Sequence, residues 1–200
     1  MSRLTRQAYT MLLNMAEKKN QNWATRIKNI LTENGYGYIW LNHNVANVKN
    51  LLNSLRERLR DCYIQKWRED IRMKDTLSFY SLIKDNFHTE NYLNTLRIGH
   101  YRNELVKFRL GASQIFSHRH KFNHSHPKIC PLCKQIEEDE FHFVLGCEAL
   151  EEIRLDTLPD FALENRHTGT LAELFTNDSY SFSVAKFLSH AMKFRESISK

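Results

Sequence analysis

Three cysteines and a histidine fall inside one eighteen-residue segment, CPLCKQIEEDEFHFVLGC, as Cys130, Cys133, His142 and Cys147. Two residues separate the first two cysteines, eight more precede the histidine, and four precede the last cysteine. Thiolates and imidazole are the ligands that structural zinc takes four at a time in a tetrahedron, and a two-residue gap lets one tight turn deliver two thiolates to one ion. Pro131 fixes a backbone angle in that turn. The expectation is one structural Zn2+ on these four side chains. Three thiolates and one imidazole close the shell and leave no position for water, so the ion supports the fold and hydrolyses nothing. Zinc-finger peptides gain roughly 10–16 kcal/mol of apparent free energy on binding metal, enough to decide whether a segment of this size folds. Two alternatives stand beside this reading. The four residues could be scattered in a small hydrophobic turn, or His118, His120, His124 or His126, just upstream, could replace His142 as a ligand.

His142 and Cys147 are five positions apart. Five helical steps rotate by about 500° and leave two side chains on different faces of an ideal helix. The pair is therefore expected to straddle a helix start, with Gly146 where the backbone bends. CEALEEIRLDTL then continues as a helix with Ala149, Leu150, Ile153 and Leu158 turned inward. A cysteine at a helix N-terminus has its thiolate favoured by the helix dipole.

The residues before the first cysteine are basic and aromatic. The formal charge of +6 is unevenly spread: residues 1–133 carry 22 Lys/Arg against 10 Asp/Glu, and residues 134–200 carry 7 against 13. The densest stretch runs from Arg97 to Lys128, where Arg97, Arg102, Lys107, Arg109, Arg119, His120 and Lys121 are interleaved with Tyr101, Phe108, Phe116 and Phe122. Cations attract phosphate and aromatic rings stack on bases, so RNA or DNA is the expected partner of those seven residues. The alternative is a solvated basic helix and a polar loop. Within the cysteine segment, Glu137, Glu138, Asp139 and Glu140 repel phosphate; they form a solvated turn or pair with Arg119 or Lys121.

Helices must position these residues. Three prolines and six glycines in 200 residues are few, which favours a mainly α fold. Leu4, Ala8, Met11, Leu12 and Met15 form a stripe that faces a partner. Asn22 caps a short helix that Gly35 ends, and GYGYIWLNHN is a tight aromatic connection. A long helix is expected from Asn44 to about Met73, with an apolar face that includes Cys62 as a packed thiol. Shorter helices follow at Asp75–Phe87 and at Leu96–Leu110 with Gly111 as cap, and a last helix capped by Asp178 or Ser179 runs through Phe194. The expected organisation is a helical domain over residues 1–117, a zinc module over 118–160 and a C-terminal helical segment over 161–200.

With 42% hydrophobic residues the chain can bury a core. Arg3 and Arg6 are not followed by the apolar stretch of a secretory signal, and no run of about 18 apolar residues is present. A soluble intracellular protein without a membrane partner is expected, and there four cysteines serve metal binding or packing, since thiols stay reduced. No Gly-rich phosphate loop, GxSxG, HExxH or pair of polymerase-type aspartates is found, so no enzyme and no small-molecule substrate are expected.

CPLC, EDEFHF and CEALEEIR, with NWATRIKNILTENGYGYIW, RERLRDCYIQKW and LRIGHYRNELVKFRLGAS upstream, resemble the C-terminal region of reverse transcriptase polyproteins from non-LTR (LINE-type) retrotransposons over roughly residues 20 to 160. That family ends in a Cys-Cys-His-Cys zinc motif of similar spacing followed by a helix. The resemblance implies a nucleic-acid-binding module that lies behind a polymerase and helps hold template RNA or target DNA. It also implies zinc ligands at Cys130, Cys133, His142 and Cys147, and contacts with other polyprotein domains. The polymerase palm and the endonuclease of the family are missing from this sequence, so their activities are not carried over.

Overall fold

The computed structural model describes residues 3–18, 22–42, 45–84 and 86–198. The expected contributions of Asn44 and Asp85, and of the Leu4 side chain, lie outside the described residues. Among those residues there is no strand, and an isolated antiparallel bridge joins Ile129 to Glu137. The fold is mainly α, with the cysteine segment in the C-terminal half and a long helix at the end. No described helix is long and apolar enough to cross a membrane.

The chain divides into two units, Met1–Lys66 and Trp67–Lys200. The division lies inside a long helix rather than at residue 117. The reason is packing: residues assigned from sequence to three successive domains share one core, in which Phe108, Phe143 and Phe187 are all fully buried.

In the first unit, α1 (Arg3–Glu17), α2 (Trp23–Glu33) and α3 (Gly37–Asn42) precede α4 (Val48–Arg72). Asn22 caps α2 as expected, its Oδ1 accepting from the Thr25 N–H at 2.9 Å. Gly35, at φ +85°, turns the chain after α2 in a conformation that disfavours other residues. The expected connection GYGYIWLNHN is itself helical over Gly37–Asn42 and buries Ile39. Two apolar stripes face solvent instead of a partner. Met11 is 66% exposed on α1, and Val48, Leu52, Leu59 and Tyr63 on α4 are 57, 55, 40 and 57% exposed. Cys62 is half-buried, its Sγ 3.7 Å from Asn34 Oδ1.

The second unit takes the last turns of α4 and then α5 (Ser78–Ile83), α6 (Tyr92–Thr95), α7 (Gly99–Arg109) and α8 (Phe116–Phe122). Beyond the cysteine segment come α9 (Glu151–Thr157), α10 (Asp160–Glu164), α11 (Thr168–Thr176) and α12 (Ser181–Ile198). The helix expected over Leu96–Leu110 is broken: Leu96 and Ile98 are extended, and Gly99 starts α7 rather than sitting within it. Leu96 turns into the core, and glycine is a poor helix-interior residue, so the break falls there. Gly111 closes α7 at φ +67°, and a Cβ there would lie 2.2 Å from the Thr76 carbonyl oxygen, so only glycine fits. Asn177, not Asp178 or Ser179, caps the turn before α12, accepting from the Ser179 N–H at 3.1 Å.

Phe108 is the hub of the core. Its ring centroid lies 5.7 Å from Phe79, 5.5 Å from Phe175, 6.0 Å from Phe143 and 5.4 Å from His118. It thereby joins α5, α7, α8, α11 and the turn that carries His142. Phe108→Ala is expected to lower unfolding free energy by about 3–5 kcal/mol, because the cavity is enclosed on all these sides. Urea denaturation followed by tryptophan fluorescence measures this, and a loss below about 1 kcal/mol would contradict the hub.

Candidate metal centre

Cys130 ends the short bridged segment, Cys133 follows in the turn, and the Lys134 N–H closes that turn on the Cys130 carbonyl at 2.9 Å. Lys134 adopts φ +60°, an unusual conformation for a side-chain-bearing residue. The second half of the centre departs from the expected helix start. His142–Gly146 forms a π-turn, closed by the Cys147 N–H on the His142 carbonyl at 2.6 Å. A π-turn pairs residues i and i+5, so the spacing that separates two side chains on an α-helix brings them together here. Asp139 starts this turn, its Oδ1 accepting from the His142 N–H at 2.6 Å. Cys147 sits in extended backbone before a 3-10 turn, Glu148–Leu150, that leads into α9. Leu150 and Leu158 are buried as expected and Ile153 is half-buried, but Ala149 is exposed because the 3-10 turn shifts the helical register.

One donor atom from each of Cys130, Cys133, His142 and Cys147 lies within 4.8 Å of the others, close enough to hold one metal ion. Cys130 Sγ is 3.8 Å from Cys147 Sγ, and Cys133 Sγ is 3.4 Å from His142 Nε2. The hydrogen bond to Cys147, and then burial, pushes the Cys130 thiol up, while the same bond pulls Cys147 down.

None of the four upstream histidines joins this cluster. His118 is fully buried, and its Nδ1 accepts from the Ser113 N–H at 3.3 Å with the Ser113 hydroxyl at 2.7 Å. The proton is therefore on Nε2, which donates to Glu140 at 3.0 Å. His120 Nδ1 donates to the His126 carbonyl at 3.0 Å, and its ring packs against His124.

The acidic run is built into the fold. Glu138 is 1% exposed and takes both ends of the Arg195 guanidinium from α12 at 3.0 Å, together with the Phe116 N–H at 2.6 Å. Glu140 accepts from His118 and, at 3.3 Å, from Lys121. Burial alone pushes the Glu140 carboxyl up, but His118 and Lys121 outweigh it and hold it at about 2. The charged form therefore adds stability above the ordinary 4.5, and that contribution is lost as pH falls through about 2.

Arg154 was not singled out by its sequence, yet it is the largest fully buried side chain. Its Nε donates to the Val144 carbonyl at 2.8 Å and its Nη2 to the Cys147 carbonyl at 2.9 Å, while Nη1 pairs with Glu151. Glu151 pairs in turn with Arg166. Arg154 thus clamps the backbone between the last two candidate ligands. The Asp-x-x spacing before His142 is a capping signal the sequence offers for Asp139; nothing local marks Arg154 or Arg195.

The basic strip is dispersed. Arg97 is exposed; Lys107 is exposed and bonded to Glu104 at 2.8 Å. Arg102 is half-buried and reaches the carbonyls of Leu93 and Leu96, both at 3.4 Å. Arg109 is 3% exposed, pairs with Glu90 at 3.0 Å and donates to the Phe175 carbonyl, so its charge is used inside the fold rather than on the strip. Arg119, His120 and Lys121 are half-buried on α8, and Lys121 also donates to Ser78 Oγ at 2.9 Å. Of the four aromatic residues in the strip only Phe122, 68% exposed, faces solvent freely; Phe108 is core and Phe116 lies beneath Arg195.

Arg154→Met is expected to weaken metal binding about 10–100-fold, as loss of supporting contacts to ligands does elsewhere. Competition with a chromogenic chelator measures the affinity; an unchanged value beside a lowered melting temperature would show that the clamp serves α9 alone.

Comparison with family models, with curated proteins and with solved structures gives no match, so the reading of the centre rests on its own geometry.

Proposed function

We propose that Cys130, Cys133, His142 and Cys147 hold one structural zinc ion, and that the ion stabilises a nucleic-acid-binding module. The donor geometry carries the zinc reading. Bonds of about 2.3 Å to sulfur and about 2.0 Å to nitrogen give a tetrahedron with S···S edges of about 3.8 Å and S···N edges of about 3.5 Å. The separations here are 3.8 Å between Cys130 and Cys147 and 3.4 Å between Cys133 and His142. All four positions of the ion are filled by protein, so the reading includes no catalytic step.

Nucleic acid as partner is supported by the charge of the chain before Lys134 and by the surface cations Arg97, Lys107 and Lys128. Arg119, His120 and Lys121 on α8 add to that surface, while Arg102 and Arg109 support the fold beneath it. The motif resemblance to the C-terminal region of LINE-type reverse transcriptase polyproteins points the same way.

A second reading, a protein-interaction domain, is favoured by one observation: the exposed apolar stripe Val48, Leu52, Leu59 and Tyr63 on α4. In that reading the stripe docks on another protein and the zinc only orders the second unit.

Purified protein is expected to carry one zinc per chain by metal analysis, lost in Cys133→Ser. Release should set in as the pH falls, because the bound thiolates and imidazole must be deprotonated. Wild-type protein with no zinc would refute the site. For the partner, zinc-loaded protein is expected to bind single-stranded RNA or duplex DNA at low salt with a steep salt dependence, and Lys107→Glu/Arg119→Glu to weaken it. Negligible binding at low salt would favour the interaction domain instead.

A further inference from the structure

The most strongly cationic cavity lies outside the strip that the sequence marks. The last turns of α4 and the helix α5 enclose about 270 Å³ lined by Trp67, Arg68, Ile71, Arg72, Ser81 and Lys84. Three cations, one large aromatic ring and one hydroxyl line it, and no carboxylate does. Arg68 and Arg72 are one helical turn apart and exposed, so both guanidinium groups can meet the same ligand. Lys84 is held in place by Glu90 at 2.8 Å and by the His88 carbonyl at 2.7 Å. Glu90 also serves Arg109, so one carboxylate faces two cations. Trp67 is braced edge-on by Phe87, with ring centroids 5.3 Å apart. It also lines a second cavity of about 380 Å³ with Tyr80, Phe87 and His88.

From these residues we infer that the cavity holds one nucleotide of a single-stranded nucleic acid, its phosphate on Arg68 and Arg72 and its base against Trp67. Guanidinium groups match phosphate oxygens two at a time, and an indole stacks on any base. Binding here is therefore indifferent to sequence. The cavity is also continuous with the basic residues of α8. Lys121 donates to Ser78 Oγ at 2.9 Å, and Ser78 lies one turn of α5 from Ser81 in the cavity wall, where the Ser81 hydroxyl donates to the Ser78 carbonyl at 2.7 Å. A strand seated on Arg68 and Arg72 can thus pass along α5 to Lys121. The inference rests on the nucleic-acid reading above and adds to it a site and a strandedness.

The test uses the full zinc-loaded chain and fluorescein-labelled twelve-nucleotide oligo(U) and oligo(dT), read by anisotropy over a range of salt. Arg68→Ala/Arg72→Ala is expected to weaken binding about tenfold or more at low salt and to make the slope of log affinity against log salt shallower by about 1.4, since each lost phosphate contact on a single strand removes about 0.7. Trp67→Leu is expected to lose about 5–150-fold, the range for one base–aromatic stack. Arg72→Glu, a surface substitution, repeats the charge test where melting temperatures show that Trp67→Leu perturbs the fold. Lys107→Glu/Arg119→Glu separates the two ideas. If that variant loses the strand while Arg68→Ala/Arg72→Ala and Arg72→Glu bind it as the wild type does, the cavity is overturned and the broader reading survives. If the wild type binds neither oligonucleotide nor duplex DNA at low salt, both fall. Equal displacement of the oligonucleotide by inorganic phosphate and by UMP would overturn the role of Trp67 and leave a phosphate site alone.

Discussion

The carboxylate of Glu138 and the guanidinium of Arg195 meet inside the second unit, and the candidate metal centre is anchored through that meeting. Glu138 belongs to four structures at once. Its N–H donates to the Lys128 carbonyl at 2.8 Å, its carbonyl accepts from the Ser117 N–H at 3.0 Å, and its side chain takes the Phe116 N–H and both arms of Arg195. The bridged segment before Cys130, the start of α8 and the body of α12 are thereby fixed to one residue. A buried carboxylate is tolerated only when its lone pairs are filled by donors and its charge is balanced, and here both conditions are met. Such a pair contributes more to the uniqueness of the arrangement than to its net stability.

Charge balance extends to the donors. Cys130 Sγ is 4.0 Å from Glu138 Oε1 and fully buried, so a thiolate at Cys130 lies beside an existing negative charge. Arg195 on one side and Arg154 behind Cys147 supply the positive charge that the interior otherwise lacks. Arg154 acts through the backbone: with its Nε and Nη2 on the carbonyls of Val144 and Cys147, the π-turn between the third and fourth donors keeps its shape. The second unit therefore uses its buried arginines as fixed points around the cysteine segment, and Arg109 does the same for the loop at Glu90 and the end of α11.

This use of arginine changes what the basic composition means. A strip that looks continuous in sequence divides in space into cations that hold the fold and cations that face solvent. Arg102 and Arg109 fall in the first group, and Arg97 and Lys107 in the second. Lys121 stands between them, bonded to Glu140 and to Ser78 yet still on the surface of α8. The exposed positive charge gathers instead from helices distant in sequence, and the cavity at Arg68, Arg72 and Lys84 is the clearest case.

Sequence alone determined the helical class, the caps at Asn22, Gly35 and Gly111, the inward turn of Leu105 and Phe108, and the four donors. Each of these is written in local chemistry: the 3.6-residue period, the side-chain oxygen of an N-cap, the freedom of glycine at positive φ, the affinity of sulfur and imidazole for metal. Tertiary structure decided the rest. The π-turn that joins His142 to Cys147 depends on Asp139 and on Arg154 reaching back from α9, so an ideal-helix argument placed the two side chains apart. The shared core that overrode a boundary at residue 117 arises because Phe108, Phe143, Phe175 and Phe187 meet only after the chain folds. The fate of each arginine was settled by which carbonyl or carboxylate from a distant element met it. The donors in the cysteine segment lie within eighteen residues of one another and could be read in order; Glu138 and Arg195 are fifty-seven residues apart, and only packing makes them neighbours.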